Sequence, residues 1–332
     1  SQLRDLSVSA RFPDHIFAGE PAPVLVGLRN TKRVLPSFSV LVEWRHQLER
    51  EPRRKILRRI ARRPRFDKQP LAYFMHVPRR SRAEQRVEQT FPRRGHVLVT
   101  GFELSTRFPF GFFRLRRRLR ARNVDLVIYP KLEPASDELH LLPMNIGRQL
   151  SARRGAGHDL HSLREYLPQD DVRHIDWKAT ARARHLVVRE FTSEDERRVH
   201  VFLDTSARDD GGDADKASAR FERGVTLAAS LVAHFIEERA EVRLTLGDEE
   251  GGYGAGQEHL YASLRRLALA APDTDTRAAR ERDARESPAP DLWESIARAS
   301  TATDANYVIL LTTAAPGTIP AHVWRQSHVI YL

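Results

Sequence analysis

The sequence predicts a multidomain β plus α/β chain: an antiparallel β-sandwich over residues 1–130, a connector over 131–198, and a doubly wound α/β domain over 199–332. Three observations predict it. The front of the chain is a series of short β-branched and aromatic stretches separated by turn residues. The rear alternates apolar strand-like runs with long amphipathic ones. The charge also changes sign between them. Residues 1–198 carry 41 Lys and Arg against 23 Asp and Glu, a net of +18, whereas residues 199–332 carry 14 against 21, a net of −7. Two modules with different surroundings are implied.

Seven stretches read as strands in the front half: LSVSARF, PVLVGLRN, SFSVLVEW, LAYFMHV, VEQTF, HVLVTGFEL and VDLVIYP. Gly19, Pro21, Asn30, Pro36 and Gly95 mark the turns between them. About seven short strands with such breaks suggest a sandwich of immunoglobulin-like size. Residues 50–68 break the rhythm, placing Ile56, Leu57 and Ile60 at helical spacing among ten basic residues. They read as a basic insertion between strands.

The connector contains Pro134 and Pro143 and shows no sustained period. Beyond it, VHVFLD (199–204) is a continuous apolar run ending in an acid, as a buried parallel strand does. A helix follows over about 217–239, with Phe221, Val225, Leu227, Ala228, Leu231, Val232, Phe235 and Ile236 on one broad face. VRLTLG (242–247), YVILLTT (307–313) and HVIYL (328–332) read as further strands, with helices over 259–269 and 292–299. Strand–helix alternation favours a largely parallel open sheet.

Composition excludes several classes of function. The chain has no cysteine, so it has no thiolate chemistry and no disulfide framework, which fits a reducing compartment. Its longest apolar run, Val225 to Ile236, is interrupted by Thr226, Ser230 and His234 and falls short of the ~20 residues that span a bilayer. The glycines between Gly251 and Gly256 lack the Gly-Lys-Ser/Thr ending of a phosphate loop and read as a flexible turn.

The most information-dense stretch lies in the connector. LHSLREYLPQDDVRHIDWKATARARHLVVRE (160–190) gathers Arg164, Glu165, Tyr166, Asp170, Asp171, Arg173, Asp176, Trp177 and Lys178. Fixed-geometry donors and acceptors at this density bind one another, a partner or a ligand. The longer run GHDLHSLREYLPQDDVRHIDWKATARARHLVVREF resembles the signature of the domain of unknown function 58 family, with Gln169 in place of a glycine before the acidic pair. GEPAPVLVGLRNTKRVLPSFSV and RRGHVLVTGFELSTRFPFGFFRL resemble earlier parts of the same family. The resemblance implies a β-sandwich followed by a von Willebrand factor A-like domain. It also implies a bacterial protein, an adaptor of MoxR-type AAA+ ATPases, and a cytoplasmic location with an N-terminal membrane anchor. The chain begins inside a predicted strand, so such an anchor is expected before Ser1.

The resemblance also raises a metal question. A von Willebrand factor A-like domain that binds Mg²⁺ uses D-x-S-x-S after its first strand, where oxygen ligands suit a hard cation. Here Asp204 and Ser206 match, Arg208 replaces the last serine, and Thr312-Thr313 stand where an acid often completes the set. The expectation is a metal-free turn and no cofactor, with Mg²⁺ at Asp204 and Ser206 as the alternative.

Three functional readings remain. The first is a non-enzymatic adaptor in which the nine residues from Arg164 to Lys178 form an interdomain latch or a docking surface, with Tyr166 and Trp177 as anchors. The second is a nucleic-acid-binding protein using the basic segments 50–68 and 114–122, which would also attract an anionic membrane surface. The third is a hydrolase using Asp170, Asp171 and His174, although no nucleophile–base spacing surrounds them.

Overall fold

Two compact units make up the chain, one formed by residues 1–132 with 261–271 and the other by 133–260 with 272–332. The computed structural model describes residues 3–49, 67–134, 159–167, 175–183, 185–192, 198–206, 214–272, 306–315 and 317–332.

Alternation along the strands builds the first unit. Strand β3 (Pro21–Asn30) buries Val24, Val26 and Leu28, and β4 (Ser37–Glu49) buries Val40, Val42 and Trp44. A period of two puts each set on one face of its sheet. β3 lies between β1 (Leu6–Arg11) and β6 (Ser81–Thr90) in an antiparallel three-stranded sheet. The five-stranded sheet has the order β2 (Ile16–Phe17), β8 (Leu115–Tyr129), β7 (Gly95–Thr106), β4, β5 (Asp67–Val77). It is antiparallel except for the short β2–β8 pair. Side chains from both sheets form one hydrophobic cluster, which closes the sandwich.

Strand β8 differs from the sequence reading in length. Residues 124–129 of VDLVIYP are only its second half; residues 115–122 of the basic run supply the first. Leu119 and Ala121 pack against the core, whereas Arg116, Arg118 and Arg120 are exposed on the other face. There Arg114 pairs with Glu43 at 3.2 Å, and Arg116 and Arg118 approach Glu103 at 3.9 and 3.4 Å. Glu43 and Glu103 are direct cross-strand neighbours. The arginines thus offset two carboxylates that would otherwise repel each other. The predicted insertion lies outside the described residues, apart from its last two, which open β5.

Parallel strands build the second unit. β11 (Arg198–Leu203), β12 (Glu241–Leu246), β13 (Asn306–Thr312) and β14 (His328–Tyr331) form an all-parallel sheet in the order β12-β11-β13-β14. Val199 to Leu203 are buried without alternation, as a central strand covered on both faces requires. Helix α2 (Ala214–Glu237) covers one face, and all eight residues of its predicted apolar stripe are buried. A separate cluster joins Phe202, Val308 and Leu310 to Val323 of the short helix α4 (Ala321–Gln326). Helix α3 (Gly256–Leu269) follows β12, and its residues from Tyr261 onward group with the first unit. There Arg94 donates to the carbonyls of Leu267 and Ala270, satisfying acceptors at the helix end. A helix predicted over 292–299 lies outside the described residues. No helix among the described residues is long and apolar enough to cross a membrane.

The signature segment folds as a hairpin of β9 (Asp159–Glu165) and β10 (Val187–Thr192) with a seven-residue helix, α1 (Trp177–Ala183), between them.

Candidate functional site

Two places in the second unit gather polar or interaction-competent groups. The first is the carboxyl edge of the parallel sheet. The chain leaves β11 toward β12 on one side, and β13 lies on the other, so a topological switch point falls at the carboxyl ends of β11 and β13. Open α/β sheets bind ligands at such switch points. Asp204 follows β11 and is buried; its carboxylate accepts hydrogen bonds from the Ser206 N–H at 3.0 Å and hydroxyl at 2.5 Å. The Thr312 hydroxyl at the end of β13 donates to the other oxygen at 2.6 Å. The predicted pair Asp204 and Ser206 are therefore brought together, with Thr312 joining them.

Both Asp204 oxygens already accept hydrogen bonds from these donors. Thr313 stands where a further acid is expected, and Arg208 lies outside the described residues. One carboxylate and two hydroxyls are a poor match for a divalent cation, whose protein sites draw on several carboxylates. Among the described residues, those gathered at Asp204 do not fit a metal centre. What the arrangement does is tie the β11 turn to β13.

The second place is the hairpin. Asp176 is the N-cap of α1, its side chain accepting from the N–H groups of Lys178 at 3.0 Å and Ala179 at 2.9 Å. Its own N–H donates to the Val187 carbonyl at 2.8 Å, and Ile175 bridges Val188. From the helix, the Thr180 hydroxyl accepts the Val187 N–H at 3.0 Å. Ile175, Asp176, Val187 and Val188 are buried by these ties. Trp177, the next residue, is 68% exposed, and Lys178 is exposed beside it.

Two further apolar side chains lie close by along the backbone. The Tyr166 N–H donates to the Leu186 carbonyl at 2.9 Å, which brings Leu167 and Leu186 to the same end of the hairpin; both are exposed. Arg164 and Glu165 sit on β9 opposite Val188 and Val187, with Glu165 exposed and Tyr166 half-buried. Asp170, Asp171, Arg173 and His174 lie outside the described residues. Leu167 and Leu186 escape the sequence reading because an isolated leucine carries no signal of exposure. Thr180 is missed because its partner is a main-chain N–H.

Residues 162–288 match the family model described as "Protein of unknown function DUF58". This region belongs to DUF58. The match starts inside β9 and takes in both candidate places up to Asp204 and Ser206, but ends before Thr312. Among curated relatives, the uncharacterized protein Rv1480 of Mycobacterium tuberculosis is 28% identical over 155 residues, 44% of this chain and 44% of that protein. The uncharacterized protein YeaD of Bacillus subtilis is 29% identical over 126 residues, 36% of this chain and 29% of that protein. The matches thus span less than half of either relative. Among solved structures, the sporulation control protein Spo0M of Bacillus subtilis superposes over 49% of this chain and 58% of its own, with TM-score 0.22 and 10% identity. A PapD-like domain of human CEP192 superposes over 37% and 86%, with TM-score 0.18 and 11% identity. Scores this low establish no shared fold for this chain.

Proposed function

We propose that this chain is a non-enzymatic adaptor whose α1 hairpin docks a MoxR-type AAA+ ATPase, or the client of one, at the cytoplasmic face of a membrane. In this reading the sandwich is immunoglobulin-like and the parallel-sheet unit is von Willebrand factor A-like, with a hydroxyl-satisfied turn at Asp204 in place of a metal centre. The observation that carries the docking role is the exposure of Trp177 on a hairpin otherwise locked by buried main-chain bonds. Tryptophan is among the residues most enriched at binding hot spots, where its large apolar surface is removed from water. Leu167 and Leu186 extend the apolar area, and Lys178 gives it a charged rim.

The test is a pull-down of the purified MoxR-type ATPase by the whole chain. Trp177→Ala is expected to weaken capture by about tenfold or more, the loss typical of a hot-spot residue. Leu186→Ser is expected to weaken it by less. Circular dichroism and the melting temperature should be unchanged in the tryptophan variant, because its side chain is mostly in solvent. Equal capture by wild type and both variants would remove the docking surface from this hairpin.

A further inference from the structure

One end of the sandwich carries an apolar tip within a cationic ring, and we propose that it inserts into the interface of an anionic phospholipid bilayer. It supplies a membrane contact for the adaptor reading and does not depend on the ATPase or on Trp177.

The strand register defines this end. β3 ends at Asn30 and β4 begins at Ser37; β5 ends at Val77 and β6 begins at Ser81; β7 ends at Thr106 and β8 begins at Leu115. Ser37 pairs with Val77, Asn30 with Ser81 and Thr106 with Leu115. The three connecting loops 31–36, 78–80 and 107–114 therefore emerge together. Two of them put large apolar side chains into solvent. Phe110, Phe112 and Phe113 are 75%, 88% and 78% exposed, and Val34 and Leu35 are exposed as well. Single exposed apolar residues are ordinary on a protein surface. Three phenylalanines within four positions of one loop, with two aliphatic residues on a neighbouring loop, form a patch of the kind that marks a contact site.

The rings are held out by an anchored loop. The Thr106 hydroxyl donates to the Phe38 carbonyl at 2.9 Å and accepts the Phe108 N–H at 3.1 Å. The Phe108 ring stacks on Phe38 at 4.8 Å, and the Gly111 N–H closes a turn on the Arg107 carbonyl at 2.7 Å. Gly111 takes φ +74°, which a side chain there would disfavour. At the far end Arg114 bonds Glu43 and the Ser105 hydroxyl. The second apolar loop is tied similarly, since the buried Asn30 amide donates to the carbonyls of Leu35 and Val77. Ordering the tip has thus been achieved before any contact is made, which favours binding.

Charge selects the partner. The three loops contain Lys32, Arg33, Arg79, Arg80, Arg107 and Arg114, and no acidic residue. Aromatic and aliphatic tips ringed by Lys and Arg match the acyl boundary and the anionic headgroups of one surface together. A protein partner would need a greasy pocket ringed by acids. Single-stranded nucleic acid would use the rings for stacking but gain nothing from Val34 and Leu35.

The experiment is co-sedimentation of the whole chain with vesicles of phosphatidylcholine alone and of phosphatidylcholine with phosphatidylserine, at physiological salt. Wild type is expected to bind the anionic vesicles about tenfold or more better than the neutral ones. Phe112→Ser with Phe113→Ser, and separately Arg79→Glu with Arg80→Glu, are each expected to lose about tenfold or more of that binding while melting at the wild-type temperature. If the phenylalanine pair lowers the melting temperature, the arginine pair together with Phe112→Ser alone carries the test. Absence of wild-type binding to anionic vesicles overturns the proposal, as does undiminished binding by the phenylalanine variants. Capture of a thymidine oligonucleotide, or self-association by sedimentation velocity, in place of vesicle binding also overturns it. None of these outcomes bears on ATPase capture, so the two readings fail separately.

Discussion

Asp176 and Trp177 are neighbours in the chain with opposite surroundings, and the contrast separates structural from interaction roles within the signature. Asp176 satisfies two N–H groups at the start of α1 and is itself bonded to β10. Asp176→Ala is expected to cost about 1 kcal/mol through loss of the cap, seen as a lower urea midpoint for unfolding. Asp176→Asn, which keeps the acceptor oxygen, should recover most of it. If alanine and asparagine behave alike, the cap contributes nothing measurable. The sequence displayed the density of fixed-geometry groups but not this division, because a capping aspartate and an exposed tryptophan are equally conspicuous in one dimension. Only the placement of β9, β10 and α1 assigns Asp176 inward and Trp177 outward.

At the level of elements, periodic apolar patterns were the most legible part of the chain. The stripe from Phe221 to Ile236 reads as a helix because its spacing returns to one face, and α2 buries every one of those residues. Strand β8 was harder to read. Arginine contributes no hydrophobic alternation, so the run 114–122 reads in sequence as a ligand-facing basic segment. Its strand character comes from pairing with β7 and from carboxylates on β4 and β7 that are distant in sequence. Gly101 marks the same pairing. It lies where the β7–β8 register shifts, and an added Cβ would run into the Leu119 carbonyl. Gly101→Ala is expected to destabilise by about 1–3 kcal/mol, the range for forcing atoms into a packed site. Gly252→Ala, where an added Cβ meets nothing within 4 Å, should change stability by well under 1 kcal/mol. Equal unfolding midpoints for the two variants would mean that β8 yields to the intrusion.

For the molecule as a whole, stability should depend on pH through a buried histidine rather than through the many surface charges. His200 lies on the central strand β11, stacked on Phe202, with Nε2 bonded to the Thr245 hydroxyl at 2.8 Å. Burial, and then the positive charge of Arg243, push its pKa down to about 3. Burial lowers His328 on β14 as well. In the unfolded chain His200 takes a proton near its ordinary value of 6.5, whereas in the folded chain it stays neutral until about pH 3. Between those values the unfolded state binds more protons, so stability falls as pH falls. The slope from this one residue approaches ~1.4 kcal/mol per pH unit. His200→Gln keeps a hydrogen-bonding partner for Thr245 and removes the titration. Urea midpoints measured from pH 7 to pH 4 are expected to fall steeply for wild type and less steeply for the variant. The variant should retain the smaller slope that His328 supplies, together with a cost at neutral pH from lost packing against Phe202. Parallel curves for the two proteins would show that His200 does not govern acid sensitivity. The same dependence sets a condition on the vesicle experiment: it belongs above pH 6.5, where acid unfolding cannot expose apolar surface that mimics insertion by the sandwich tip.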